Sequence, residues 1–68
     1  ELIAPMGGTV WKVMKHEGDS IKSGEVVIIL ESMKMEIPIE ATTDGILTEL
    51  KINEGDFVQE NDVVAMID

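Results

Sequence analysis

Six consecutive residues stand out for the chemistry they could do: Glu31-Ser32-Met33-Lys34-Met35-Glu36. A lysine amine is a nucleophile when neutral and can be acylated to an amide. The segment is nearly palindromic about the Met33–Lys34 bond, with Glu31 facing Glu36 and Leu30 facing Ile37. That pattern predicts a hairpin with a two-residue loop at Met33-Lys34. Such loops favour Asn-Gly or Gly-X, because one or both central residues take φ > 0. Met-Lys meets neither preference, and a position that breaks a local rule without structural gain is a candidate for function. The flanking methionines put flexible apolar surface where a plain turn would carry Asn, Asp or Gly, and methionine suits a surface that must fit several partners. The chemistry expected is presentation of the Lys34 amine to another protein's active site. Lys12, Lys15, Lys22 and Lys51 read as ordinary solvated lysines.

Other groups point to structure rather than chemistry. His16 precedes a turn and reads as a turn residue. The acids of Glu17-Gly18-Asp19 and Glu54-Gly55-Asp56 lack the spacing of an EF-hand loop. Gly7-Gly8 is not followed by the Gly-Lys-Ser/Thr of a phosphate loop. Trp11 falls at a position expected to face outward. The chain has no cysteine, hence no disulfide and no thiolate metal site. No nucleophile–base pair stands out, so neither catalytic residues nor a metal site are expected.

The elements that must position Lys34 follow from an internal repeat. Shifted by 37 residues, the chain overlays itself without a gap, Ala4–Glu31 on Ala41–Asp68, and seven of the 28 pairs are identical. The identities include Glu17-Gly18-Asp19 with Glu54-Gly55-Asp56, which is turn chemistry: glycine tolerates φ > 0 and aspartate bonds its own backbone. His16 aligns with Asn53, and Trp11 with Thr48. Residues 9–15 and 46–52 read as strands. The three-residue spacing of Val10 and Val13, and of Leu47 and Leu50, predicts a bulge or bend in both. Short strands are expected at Ile21 and at Phe57-Val58. Turns follow at Lys22-Ser23-Gly24 and Gln59-Glu60-Asn61, then long strands over Val26–Glu31 and Val63–Asp68, with opening strands at Leu2–Ala4 and Ile37–Ala41. The expected fold is all-β: eight antiparallel strands and no helix, in a flattened barrel or sandwich of two small sheets with quasi-twofold symmetry. Val10, Val13, Ile21, Leu47, Leu50 and Val58 are the expected core. The dyad relates the Lys34 hairpin to the chain ends, so Lys34 is expected at one end of the molecule and both termini at the other.

Composition bounds the function. Residues 1–68 make one small domain of two repeats, 4–31 and 41–68. The net charge is −9, with no arginine; residues 1–34 carry −1 and residues 35–68 carry −8. Such a surface argues against nucleic acid and against anionic membranes, which need clustered Lys and Arg. The longest apolar run, Val26–Leu30, is too short to span a membrane. No signal peptide is visible, and a cytoplasmic location is expected. The first residue is Glu rather than Met, as in a piece of a longer chain. As an isolated domain it is expected to be monomeric.

Glu31–Glu36 resembles the attachment motif of the biotinyl (biotin carboxyl carrier) domains, whose core is Met-Lys-Met. Ala4-Pro5-Met6-Gly7-Gly8 is similar to that family's opening segment, and Gly18-Asp19 and Gly55-Asp56 to its repeated turns. The resemblance covers the whole chain. Ser32 stands where many members have Ala. The copies align without a gap, so the protruding thumb of some acetyl-CoA carboxylase carriers is absent. The resemblance implies a flattened eight-stranded barrel with biotin in amide linkage to Lys34, Met33 and Met35 serving as flanking recognition residues. It implies three partners: a biotin protein ligase that attaches the cofactor, a biotin carboxylase, and a carboxyltransferase. The domain would carry carboxybiotin between the last two, with the tether replacing free biotin by a high local concentration. Two other readings use the same hairpin. Lipoyl domains share the fold and would place lipoate on Lys34, although their tip resembles Asp-Lys-Ala. An unmodified β-domain would use Met33, Lys34 and Met35 as a protein-binding patch.

Overall fold

The computed structural model describes residues 1–68. Eight strands run in chain order: β1 (Leu2–Ile3), β2 (Gly8–Val13), β3 (Ser20–Ile21), β4 (Val26–Ser32), β5 (Met35–Glu40), β6 (Gly45–Leu50), β7 (Phe57–Val58) and β8 (Val63–Ile67). They form two four-stranded antiparallel sheets, ordered β1-β8-β6-β3 and β5-β4-β2-β7. Each sheet takes two strands from each half of the chain, so the copies interleave instead of standing side by side.

The repeat is carried into the hydrogen bonding. Val10↔Leu30 in β2–β4 recurs as Leu47↔Ile67 in β6–β8. Ile28↔Ile39 in β4–β5 recurs as Ala65↔Leu2 in β8–β1. Ser20↔Ile46 in β3–β6 recurs as Phe57↔Thr9 in β7–β2. The β4–β5 hairpin thus has its dyad mate in β8 and β1, which are paired but not joined there. The dyad exchanges the hairpin tip with the pair of chain ends.

Both expected bulges are present. The register shifts between Val10 and Lys12 and again between Leu47 and Glu49, leaving Trp11 and Thr48 as the extra residues. A bulge turns two successive side chains to one face, which is why the apolar spacing is three rather than two. The strands expected over 9–15 and 46–52 stop earlier, at Val13 and Leu50. One more backbone bond follows each end, Met14 N–H to the Val27 carbonyl (2.8 Å) and Lys51 N–H to the Val64 carbonyl (2.9 Å), while side chains take two other donors there: the Val13 N–H donates to Glu54 Oε2 (3.1 Å), and the Leu50 N–H donates to Glu17 Oε2 (3.0 Å). Val13 and Leu50, expected in the core, are only half-buried and pack on its margin. The opening strands also differ from expectation. Ala4 and Ala41 are buried just outside strands, their N–H groups bonding Asp62 and Glu25 carbonyls (both 2.9 Å), while β5 begins two residues early at Met35.

The core is wholly apolar: Val10, Ile21, Val27, Ile28, Leu30, Leu47, Val58 and Val64 are among its members, and no polar side chain is buried. Burying no unpaired polar group avoids a cost of about 1–3 kcal/mol for each one. The turns are fastened by their own acids. Asp19 Oδ2 accepts the His16 N–H (2.8 Å) and Asp56 Oδ2 the Asn53 N–H (2.9 Å), as turn residues at 16 and 53 require. Gly18 and Gly55 take φ 94° and 95°, where a side chain is strained. In the second turns, Glu25 Oε1 accepts the Lys22 N–H (2.7 Å), and Asp62 Oδ2 accepts the Gln59 N–H (2.8 Å). The bond from the Lys22 N–H, and next the Lys15 ammonium 3.3 Å away, hold the Glu25 carboxyl below the ordinary glutamate range.

Candidate functional site

The β4–β5 ladder runs in register to its end: Leu30↔Ile37, Glu31↔Glu36, Ser32↔Met35. Leu30 is fully buried and Ile37 half-buried, so the hairpin is clamped into the core a few residues below its tip. Met33 and Lys34 close it with φ 51° and 65°, both left-handed, as the two-residue turn matching strand twist demands. No residue here is glycine, asparagine or aspartate, so the tip holds a backbone conformation that costs about 1–3 kcal/mol per residue in L side chains.

The tip is convex. Met33 is 89% exposed and Met35 65% exposed, and Lys34 is exposed as well. Lys34 forms no ion pair within 4 Å; the two ion pairs of the molecule are Lys15–Glu25 and Lys51–Glu49. Neither surface groove reaches it: one lies along Glu1–Ile3 and Pro38–Glu40, the other between Val13, His16, Leu50 and Glu54. No three His, Asp or Glu side chains converge to hold a metal ion. The structure thus brings Met33, Lys34 and Met35 together at one exposed point that neither surface groove adjoins. Such a point can be acted upon and can carry an acyl group.

One feature of this end was anticipated from the sequence and one was not. Glu31 and Glu36 are directly cross-strand, a like-charge pairing that destabilises a sheet, and no cation within 4 Å relieves it. Phe57 is 68% exposed and pairs with Thr9, whose other partner is Glu31. The palindrome contained the first signal; the second lay in the repeat, where Phe57 aligns with polar Ser20.

A clamped hairpin that presents an exposed lysine at the tip of a two-sheet β-sandwich has the form of a carrier domain. The family model described as "Biotin-requiring enzyme" matches residues 1–67. The chain belongs to that biotin/lipoyl family. It is 58% identical over 59 residues to the Biotin/lipoyl attachment protein of Bacillus subtilis (strain 168), covering 87% of this chain and 81% of that protein. It is 42% identical over 64 residues to the Biotinylated protein TB7.3 homolog of Mycobacterium leprae (strain TN), covering 94% and 90%. Its fold superposes on part of the crystal structure of the Kluyveromyces lactis urea carboxylase with a TM-score of 0.91 at 36% identity, covering 97% of this chain and 6% of that one. Carboxylase relatives are far longer than the matched region; the chain spans 11% of one acyl-coenzyme A carboxylase subunit and 5% of a pyruvate carboxylase. The family and these relatives make the domain a biotin carrier of the biotin-dependent carboxylase systems, a carrier rather than a catalyst. No helix is long and apolar enough to cross a membrane.

Proposed function

We propose that residues 1–68 act as a single biotinyl domain in which Lys34 Nζ bears the biotin, with Met33 and Met35 as flanking recognition residues. The observation that supports this most is the tip itself: two left-handed residues, neither suited to the turn, present a lysine that no ion pair holds. The residues fit the group, since an exposed amine free of an acidic partner can enter a ligase site and leave it acylated. Attachment joins Nζ to the acyl carbon of an activated biotin. The acyl–oxygen bond to adenylate breaks, AMP leaves, and the amine proton passes to a base on the ligase. The lysine charge is lost, which takes the domain from −9 to −10. Once bound, biotin supplies the ureido nitrogen on which a carboxyl group travels. The chain supplies reach, a rigid base under the tether and a flexible apolar collar from the two methionines.

The partners proposed are a biotin protein ligase, a biotin carboxylase and a carboxyltransferase. The acceptor is that of the carboxylase system the chain serves. Intact mass with peptide mapping, after incubation with a biotin protein ligase, biotin and ATP, tests the assignment. The expected result is one biotin on Lys34, and none in Lys34→Arg, whose circular dichroism and melting point stay those of the parent. A label retained in Lys34→Arg moves the site to another lysine. A second reading, lipoate on Lys34, is favoured by one observation: the Bacillus subtilis relative's name carries both cofactors. A parallel incubation with a lipoate ligase separates the two, and no adduct from either returns the domain to an unmodified binding module.

A further inference from the structure

The two repeats form an internal control: what the fold requires appears twice, and what appears once has another reason. The chain holds one Trp, one Phe and no Tyr. Trp11 and Phe57 are exposed, by 43% and 68%, where a structural aromatic would be buried. Their dyad mates are Thr48 and Ser20, both exposed, so the fold builds these positions equally well from small polar residues. At the bulge the polar mate is even better satisfied, because the Thr48 hydroxyl donates to the Met66 carbonyl (3.2 Å).

Both aromatics lie on the outer face of one sheet, β5-β4-β2-β7, which is also the sheet that carries the Lys34 hairpin. Register orders the face. Phe57, Thr9, Glu31 and Glu36 form one row across four strands, ending beside the tip. Trp11 is the next outward position on β2 after Thr9, with the Lys12 ammonium 5.5 Å from its ring. The other sheet has Ile46 where this one has Thr9, but no aromatic on its outer face. Exposed Trp and Phe are the residue types that anchor protein interfaces.

We propose that this face is the docking surface for the enzyme that acylates Lys34, a proposal that rests on the assignment of Lys34 above. That enzyme meets the carrier before any cofactor is attached. It must select one of five lysines from protein surface alone, so it depends most on a feature that marks one sheet and one hairpin. The chemistry of the partner surface follows from the row: an apolar depression that takes the Phe57 and Trp11 rings, and cationic side chains nearer its active site, opposite the unrelieved Glu31 and Glu36 carboxylates.

The test exchanges residues between dyad mates. Trp11→Thr with Phe57→Ser installs side chains the fold already uses at the equivalent positions. Thr48→Trp with Ser20→Phe places the aromatics on the other sheet of an otherwise unchanged chain. Initial rates of biotin incorporation by a biotin protein ligase, with carrier concentration varied, give KM and kcat. The expected result is a KM for the first double variant raised roughly ten-fold or more, with kcat at saturation little changed, and a second double variant that matches the parent. Melting points of all three proteins establish that the fold is kept. An unchanged KM in the first double variant overturns the proposal while leaving Lys34 as the site. Equal losses in both double variants also overturn it, since the effect would not belong to this face. Concentration-dependent dimers of the parent that vanish in the first double variant overturn it in favour of a second copy as the occupant. A parent labelled elsewhere than Lys34 removes the assignment itself, and the docking proposal with it, as peptide mapping of the parent reveals directly.

Discussion

Met33 and Lys34 hold φ values of 51° and 65° on side chains that gain nothing locally from that conformation. The surrounding ladder enforces it: Leu30 opposite Ile37 fixes the register below, and the register leaves only two residues to turn. Because Met33 is 89% exposed, its replacement changes little packing. Met33→Asn places a residue that tolerates the left-handed region at the first turn position. It is expected to stabilise the domain by about 1 kcal/mol, a rise in Tm of roughly 4–8 °C for a chain this short. Under the proposed assignment it slows biotin incorporation. Met35→Ala, also exposed, is expected to move stability by no more than about 0.5 kcal/mol. Thermal melts beside ligation rates check both variants, and a Met35→Ala domain that unfolds would show the side chain to be structural. Stability given up at the tip is then recovered as a site that a partner can read.

The same logic separates legible from illegible elements. The bulges were legible because the apolar spacing slipped from two to three in both copies, and the hairpin was legible because Leu30, Glu31, Glu36 and Ile37 mirror one another. The tight turns were legible from Glu-Gly-Asp, and Gly55 at φ 95° makes their backbone testable. Gly55→Val puts a β-branched side chain in the left-handed region and is expected to cost about 1–3 kcal/mol, a drop in Tm of several degrees. A melt unchanged from the parent would remove the turn from this account. The two-residue strands β3 and β7 carried too little pattern to reveal their pairing with β6 and β2. The reach of Glu17 and Glu54 into the opposite copy was also hidden. Their identity across the repeat hinted at a structural task, but a carboxylate in a turn reads as solvated until the strand it serves is in place. The exposure of Phe57 was missed because it was weighed as a strand residue and never compared with Ser20.

Across the molecule, each sheet draws strands from both repeats, so neither half contains a complete sheet. Cutting between Met33 and Lys34 divides the chain into β1–β4 and β5–β8. Each piece is expected to be unfolded alone by circular dichroism, and an equimolar mixture to recover the β signal and a cooperative melt. A half that folds by itself would mean that the repeats are independent units. The lysine tip likewise depends on both halves, since β4 is held between β5 and β2. The dyad has one more consequence. β8 and β1 are laid against each other as β4 and β5 are, with Asp68 at the place of Glu31 and Glu1 at the place of Pro38. The missing piece between them corresponds to Ser32–Ile37. Joining the last residue to the first through a copy of that segment, and opening the ring at another turn, would give a circular permutant with a second lysine tip. The backbone architecture that supports the tip is therefore present twice in the fold, once at each end of the dyad.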